Sequence, residues 1–184
     1  MAEIERLEAR HAQLVVVDVQ EKLLPHIHEH ETVVAQIARM IRAARELELP
    51  VTVSEQYPQG LGPTASAILE VALDSARVQK LTFSVCRDAA CHRHLAAHAR
   101  PQVLLVGIEA HVCVQQTALD LLKEQMQPFV LADAVGSRRA LDRDIALERM
   151  RSAGVVVTTV ESAIYEMMER AGTERFRRML PLVR

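Results

Sequence analysis

Apolar and polar positions alternate along this chain in blocks of two kinds. Residues 13–17 form a short apolar run that stops at Asp18. Residues 32–47 carry Val33, Val34, Ile37, Met40, Ile41, Ala44 and Leu47, the spacing of a helix that turns one face to a core. Pro50 breaks that pattern, and residues 51–54 read as a second strand. The Gly- and Pro-rich run EQYPQGLGPT reads as a loop with fixed turns. Residues 77–84 give a third strand and residues 89–98 a helix. Pro101 then opens the strong strand QVLLVGI. A helix over 112–124, a strand over 129–132, a helix over 141–153 ended by Gly154, a strand over 155–159 and a helix over 162–170 complete the series. Apolar strands alternating with amphipathic helices predict an α/β fold: a three-layer, doubly wound, mostly parallel six-stranded sheet with helices on both faces. Its crossovers are right-handed by chain twist. No linker or repeat interrupts the alternation, so residues 1–184 read as a single domain.

Composition narrows the classes. An apolar share of 49% and a charged share of 25% suit a folded globular chain. With no Trp and few Phe or Tyr, the core has to be aliphatic. The formal net charge is −2, which offers no broad cationic face for nucleic acid. The Arg-rich tail (Arg170, Arg175, Arg177, Arg178 and Arg184) is interleaved with Glu166, Glu169 and Glu174 and reads as a solvated helix face. The opening MAEIERLEARHAQ has no signal-peptide core, and no apolar run approaches the roughly 20 residues of a membrane span. Three widely spread cysteines point to free thiols and a cytoplasmic setting.

In doubly wound sheets the functional groups gather beyond the carboxyl ends of the strands. Asp18 ends the first strand, Lys80 lies near the end of the third, and Cys113 follows the fourth where a helix begins. A thiol with a pKa of about 8.5 is mostly neutral at pH 7. An ammonium and a helix N-terminus both favour the thiolate. Asp18 is placed to accept the thiol proton and return it to a leaving group. Cys86 and Cys91 have the wrong spacing for a CxxC pair and read as inert.

The ordered segments VVVDVQ, QKLTFS and GIEAHVCVQQTALD resemble the isochorismatase-like hydrolase superfamily, which includes nicotinamidases, N-carbamoyl amidohydrolases and isochorismatases. The resemblance runs from about Leu14 to about Ile164. Its most specific motif falls on Gly107, Ile108, Cys113 and Val114. SEQYPQGLGPT and ADAVGSR are similar to the isochorismatase domain-containing subgroup. The resemblance implies the catalytic set Asp18, Lys80 and Cys113, and a cis peptide joining Ile108 to Glu109. It also implies an oxyanion hole from the backbone N–H groups of Glu109 and Cys113, and a homo-oligomer. Gln20, Glu55, Gln56, Tyr57 and His111 fall at positions around the pocket. The chain departs from the nicotinamidase pattern: SEQYPQ lacks the Asp-x-His metal motif. His26, His28 and His30, and His92 and His94 near Cys91, have no clear closing partner for a tetrahedral or octahedral set. No metal and no cofactor are expected.

The resemblance thus implies a hydrolase of a small amide, carbamoyl or ester substrate that works through a Cys113 thioester. The alternative is the same fold kept as a scaffold or binding protein. A receiver-type phosphoacceptor would need an acidic pair after the first strand, and a dinucleotide site a Gly-rich turn; DVQEKL has neither.

Overall fold

The computed structural model describes residues 6–183; the chain start at residues 1–5 and Arg184 of the basic tail lie outside the described residues. Six strands form one sheet in which every pairing is parallel: β1 (Ala12–Val17), β2 (Val51–Gln56), β3 (Ala76–Lys80), β4 (Gln102–Ile108), β5 (Gln127–Gly136) and β6 (Val156–Thr158). Their spatial order is β3-β2-β1-β4-β5-β6. The order reverses between β1 and β4, the switch point at whose carboxyl ends doubly wound sheets generally place their functional groups. The longer helices are α1 (His30–Glu46), α4 (Ala89–Ala97), α5 (Gln115–Lys123), α6 (Ala140–Ser152) and α7 (Val160–Met168). Short turns α2 (Pro58–Leu61) and α3 (Ser66–Leu69) follow β2, and α8 (Glu174–Met179) closes the chain.

The period-two geometry of a strand divides the core. Leu14 and Val16 of β1, Leu104 and Val106 of β4, and Phe129 and Leu131 of β5 face α1, α7 and α8. Val15 and Val17, Val103 and Leu105, and Val130 face α4, α5 and α6. All of β1 and β4 is buried, and beyond Gln13 and Gln102 near their starts both strands are apolar with no polar alternation.

Three elements differ from the sequence pattern in ways that matter for the site. The third strand stops at Lys80, because the next residues leave the sheet and expose Leu81 and Phe83. Glu55 and Gln56 belong to β2, where they pair in register with Gln79 and Lys80; their polarity had suggested loop. The helix after β4 opens as a π turn over Ala110–Val114 before α5 begins. Gly107 holds the approach to that turn. Its φ is +116°, and a Cβ there would lie 2.1 Å from the Val17 carbonyl oxygen, so no other residue fits where β4 passes closest to β1.

Candidate active site

Asp18 is the first residue beyond β1 and has a φ of +52°, a left-handed conformation that Asp tolerates better than most residues. The turn is fixed on both sides: the Asp18 N–H donates to Ser54 O at 3.1 Å, and the Gln20 N–H donates to Asp18 O at 2.8 Å. The carboxylate is held from two directions. The Ser54 hydroxyl donates to Oδ1 at 2.7 Å, and Lys80 Nζ donates to Oδ2 at 2.6 Å. Lys80 ends the edge strand β3, whose burial alternates until this one fully inward side chain. Its Nζ also donates to Gln56 Oε1 at 2.8 Å. Both charged side chains are fully excluded from solvent. Burying such a pair stabilises little on balance, but breaking it leaves an uncompensated charge in the interior.

Cys113 lies in the π turn after β4, buried, with Asp18, Lys80 and Glu109 near enough to act on its thiol. Burial pushes the thiol well above its ordinary value, and the negative charge of Asp18 adds to that; the Lys80 ammonium pulls the other way. The sequence-level expectation of a lowered pKa therefore gives way. Lys80 has the expected influence, but its charge is engaged by the Asp18 carboxylate and does not offset desolvation. Burial and the Asp18 charge together favour the thiol over the thiolate. Cys86 and Cys91 are each pushed up to about 12, again chiefly by burial.

Gln20, Glu55 and Gln56 are engaged with the protein itself. The Gln20 amide donates to the carbonyls of Gln56 (3.0 Å) and Gly62 (2.7 Å), and its Oε1 accepts the Gln56 N–H at 2.8 Å. Gln56 Nε2 donates to Leu81 O at 2.8 Å. Glu55 Oε1 accepts the N–H and hydroxyl of Thr64 at 2.9 and 2.8 Å, pinning the far end of the loop after β2. Tyr57 is half exposed and lies over Gly60. The Ile108–Glu109 peptide is cis. Beyond it, Glu109 Oε2 accepts the backbone N–H and Nε of Arg138, and His111 Nδ1 pairs with Ser137 Oγ at 3.0 Å.

Ser54, Ser137 and Arg138 were not singled out from sequence. Ser54 had a signal, a small polar residue inside a buried apolar strand; the other two, in the loop after β5, were visible only as the end of the ADAVGSR resemblance. The His residues disperse: His92 pairs with Glu124, and His94 with Thr52. Among the described residues no three His, Cys, Asp or Glu side chains gather as a metal-ligand set. A cavity of about 180 Å³ between α1, β5 and α6 is lined by His28, Thr32, Asp133, Ser137 and Arg143, and none of Asp18, Lys80 and Cys113 lines it.

A doubly wound parallel sheet with a buried Asp–Lys pair and a cysteine at its switch point places the chain in a class of α/β protein. The isochorismatase domain matches residues 12–162. The chain therefore belongs to the isochorismatase family. It is 36% identical over 184 residues to isochorismatase domain-containing protein 2 of Danio rerio, covering 100% of this chain and 92% of that one. A structure described as the MAR1 ribonuclease of Caenorhabditis elegans superposes with a TM-score of 0.91 at 36% identity, covering 97% of this chain and 92% of that one. The Escherichia coli YcaC product, described as an octameric hydrolase of unknown specificity, shares the fold at a TM-score of 0.91 and 20% identity, covering 99% of this chain and 92% of that one. Among the described residues no helix is long and apolar enough to cross a membrane.

Proposed function

We propose that this family member is a cysteine hydrolase of a small amide, carbamoyl or ester substrate, with Cys113 as nucleophile, Asp18 as general acid and base, and Lys80 as the fixed cation of the site. The observation that carries the reading is the fully buried Lys80–Asp18 ion pair at the switch point, whose charges bear in opposite senses on the buried Cys113 thiol. The Cys113 proton passes to Asp18 as sulfur bonds to the substrate carbonyl carbon. The N–H groups of Glu109 and Cys113 receive the oxyanion. Collapse breaks the bond to the leaving amine or alcohol, which takes the proton from Asp18 and leaves a thioester. Water, deprotonated by Asp18, then releases the acid and restores the thiol.

The raised thiol pKa supports this division of labour, because a neutral thiol needs a base at the moment of attack. Lys80 Nζ is committed to Asp18 and Gln56, which favours carbonyl over phosphodiester chemistry and disfavours nucleic acid as substrate. Gln20, Glu55 and Gln56 frame the pocket; Tyr57 and His111 remain for substrate contact. A homo-oligomer working in the cytoplasm, with the whole chain as one domain, completes the reading. Exposed Leu81 and Phe83 beside the site offer it an apolar contact.

A panel of small amides, carbamoyl compounds and esters tests the assignment. For any compound turned over, Cys113→Ala abolishes hydrolysis, and Asp18→Asn lowers kcat by about 10²–10⁴. Turnover that survives Cys113→Ala contradicts it.

A further inference from the structure

The triad is spread over four neighbouring strands, and its lysine comes from the outermost. Within the sheet, β3 touches only β2, two strands away from the β4 that carries the nucleophile turn. Something must tie the segment after Lys80 to the turn that holds Cys113. The fully buried side chain of Thr117 does both at once. Its hydroxyl donates to the Cys113 carbonyl at 2.7 Å, one helical turn back, and accepts the backbone N–H of Val85 at 3.0 Å. Its single proton goes to the Cys113 carbonyl and a lone pair takes the Val85 N–H, so the two bonds are compatible. Val85 lies five residues beyond Lys80, in the short turn Val85–Arg87.

A second tie lies one turn further along α5. Asp120 accepts Arg87 Nε at 2.9 Å and the guanidinium again at 3.2 Å, from the same turn. Thr117 and Asp120 are three residues apart and share one helix face. That face therefore clasps residues 85–87 at two points, and the nearer point is bonded to the nucleophile's own backbone.

We propose that Thr117 is a positioning residue that couples the lysine-bearing strand to the nucleophile turn, fixing the Cys113 thiol relative to the Asp18–Lys80 pair. The proposal rests on the assignment of Cys113, Asp18 and Lys80 above. Replacing Thr117 by Val leaves the Val85 N–H buried without an acceptor and frees the Cys113 carbonyl from the side chain. A buried amide left unpaired is costly, so the segment shifts to find a partner.

The test is a double-mutant cycle read by peptide-resolved alkylation of Cys113 with iodoacetamide from pH 7 to 10. In the wild-type background, Lys80→Met slows alkylation, because the ammonium favours the thiolate. In Thr117→Val the effect of Lys80→Met shrinks by about threefold or more, as coupled neighbours do and independent ones do not. Thr117→Ser restores both the rate and the sensitivity to Lys80→Met. Asp120→Asn, which loosens only the outer tie and keeps Thr117, gives a smaller change in the same direction; it carries the test if Thr117→Val fails to fold. Full sensitivity to Lys80→Met in folded Thr117→Val, or in Asp120→Asn where it stands alone, overturns the positioning role and leaves the triad standing. Insensitivity to Lys80→Met already in the wild-type background overturns the triad assignment, and the positioning role with it.

Discussion

At the residue scale, the chemistry turns on which charge dominates at Cys113. Asp18 raises the thiol pKa and Lys80 lowers it, with burial the largest influence. Removing the carboxylate therefore makes the resting thiol more acidic while removing the base that attack needs. Asp18→Asn is expected to alkylate faster than wild type at pH 8 and to turn over substrate more slowly. Two curves, iodoacetamide labelling against pH and hydrolysis against pH, check this; parallel losses in both would contradict it. The pair itself answers to stability. Lys80→Met strands the Asp18 carboxylate in a dry site and should cost about 3–5 kcal/mol in urea unfolding, with part recovered when Asp18→Asn is added. The meeting of Asp18 and Lys80 was legible in sequence because each closes a strand of one parallel sheet, while Cys113 stood out through the Gly107, Ile108, Cys113, Val114 resemblance. The direction of the thiol shift was not, because it depends on depth of burial and on Lys80 being already paired.

At the element scale, the clasp between α5 and residues 85–87 makes a separate prediction. Asp120 is held at a pKa of about 2, first by its hydrogen bond to Arg87, against an ordinary value of 3.8. A depressed carboxylate contributes stability above its unfolded pKa and loses it as pH falls through the folded one. The melting temperature of Asp120→Asn should fall below wild type at pH 5 to 7, and the gap should close between about pH 4 and pH 2. Gly107→Ala places a methyl group against the Val17 backbone and should destabilise the fold or displace the nucleophile turn, read by thermal melting and by loss of selective Cys113 labelling. The strand QVLLVGI is found over the same residues as its apolar run, because a central strand has no polar alternation to blur its ends. The end of β3 was overrun, since Leu81 and Phe83 look like strand residues; they are outside the sheet and exposed. Glu55 and Gln56 were read as loop because their compensating partners, Thr64 and Lys80, are distant in sequence.

At the scale of the whole molecule, periodicity carries the layers and the parallel sheet, while strand order comes from contacts that no local window contains. That order puts the carboxyl ends of β1 and β4 side by side and so gathers residues from positions 18, 80 and 113. Near the end of the chain, Met179 of α8 is fully buried in the same core as α1, so α8 packs on its own domain. Truncation before α8 should therefore destabilise the folded chain without altering the Lys80–Asp18 pair, a separation that melting and Cys113 labelling can resolve. Acyl transfer through Cys113 is tested by intact-mass and peptide mapping of the protein quenched during reaction with a small activated ester. One acyl group is expected, on Cys113, absent in Cys113→Ala and slower to form in Asp18→Asn. Acylation distributed over Cys86, Cys91 and Cys113, or unchanged by Asp18→Asn, would contradict it.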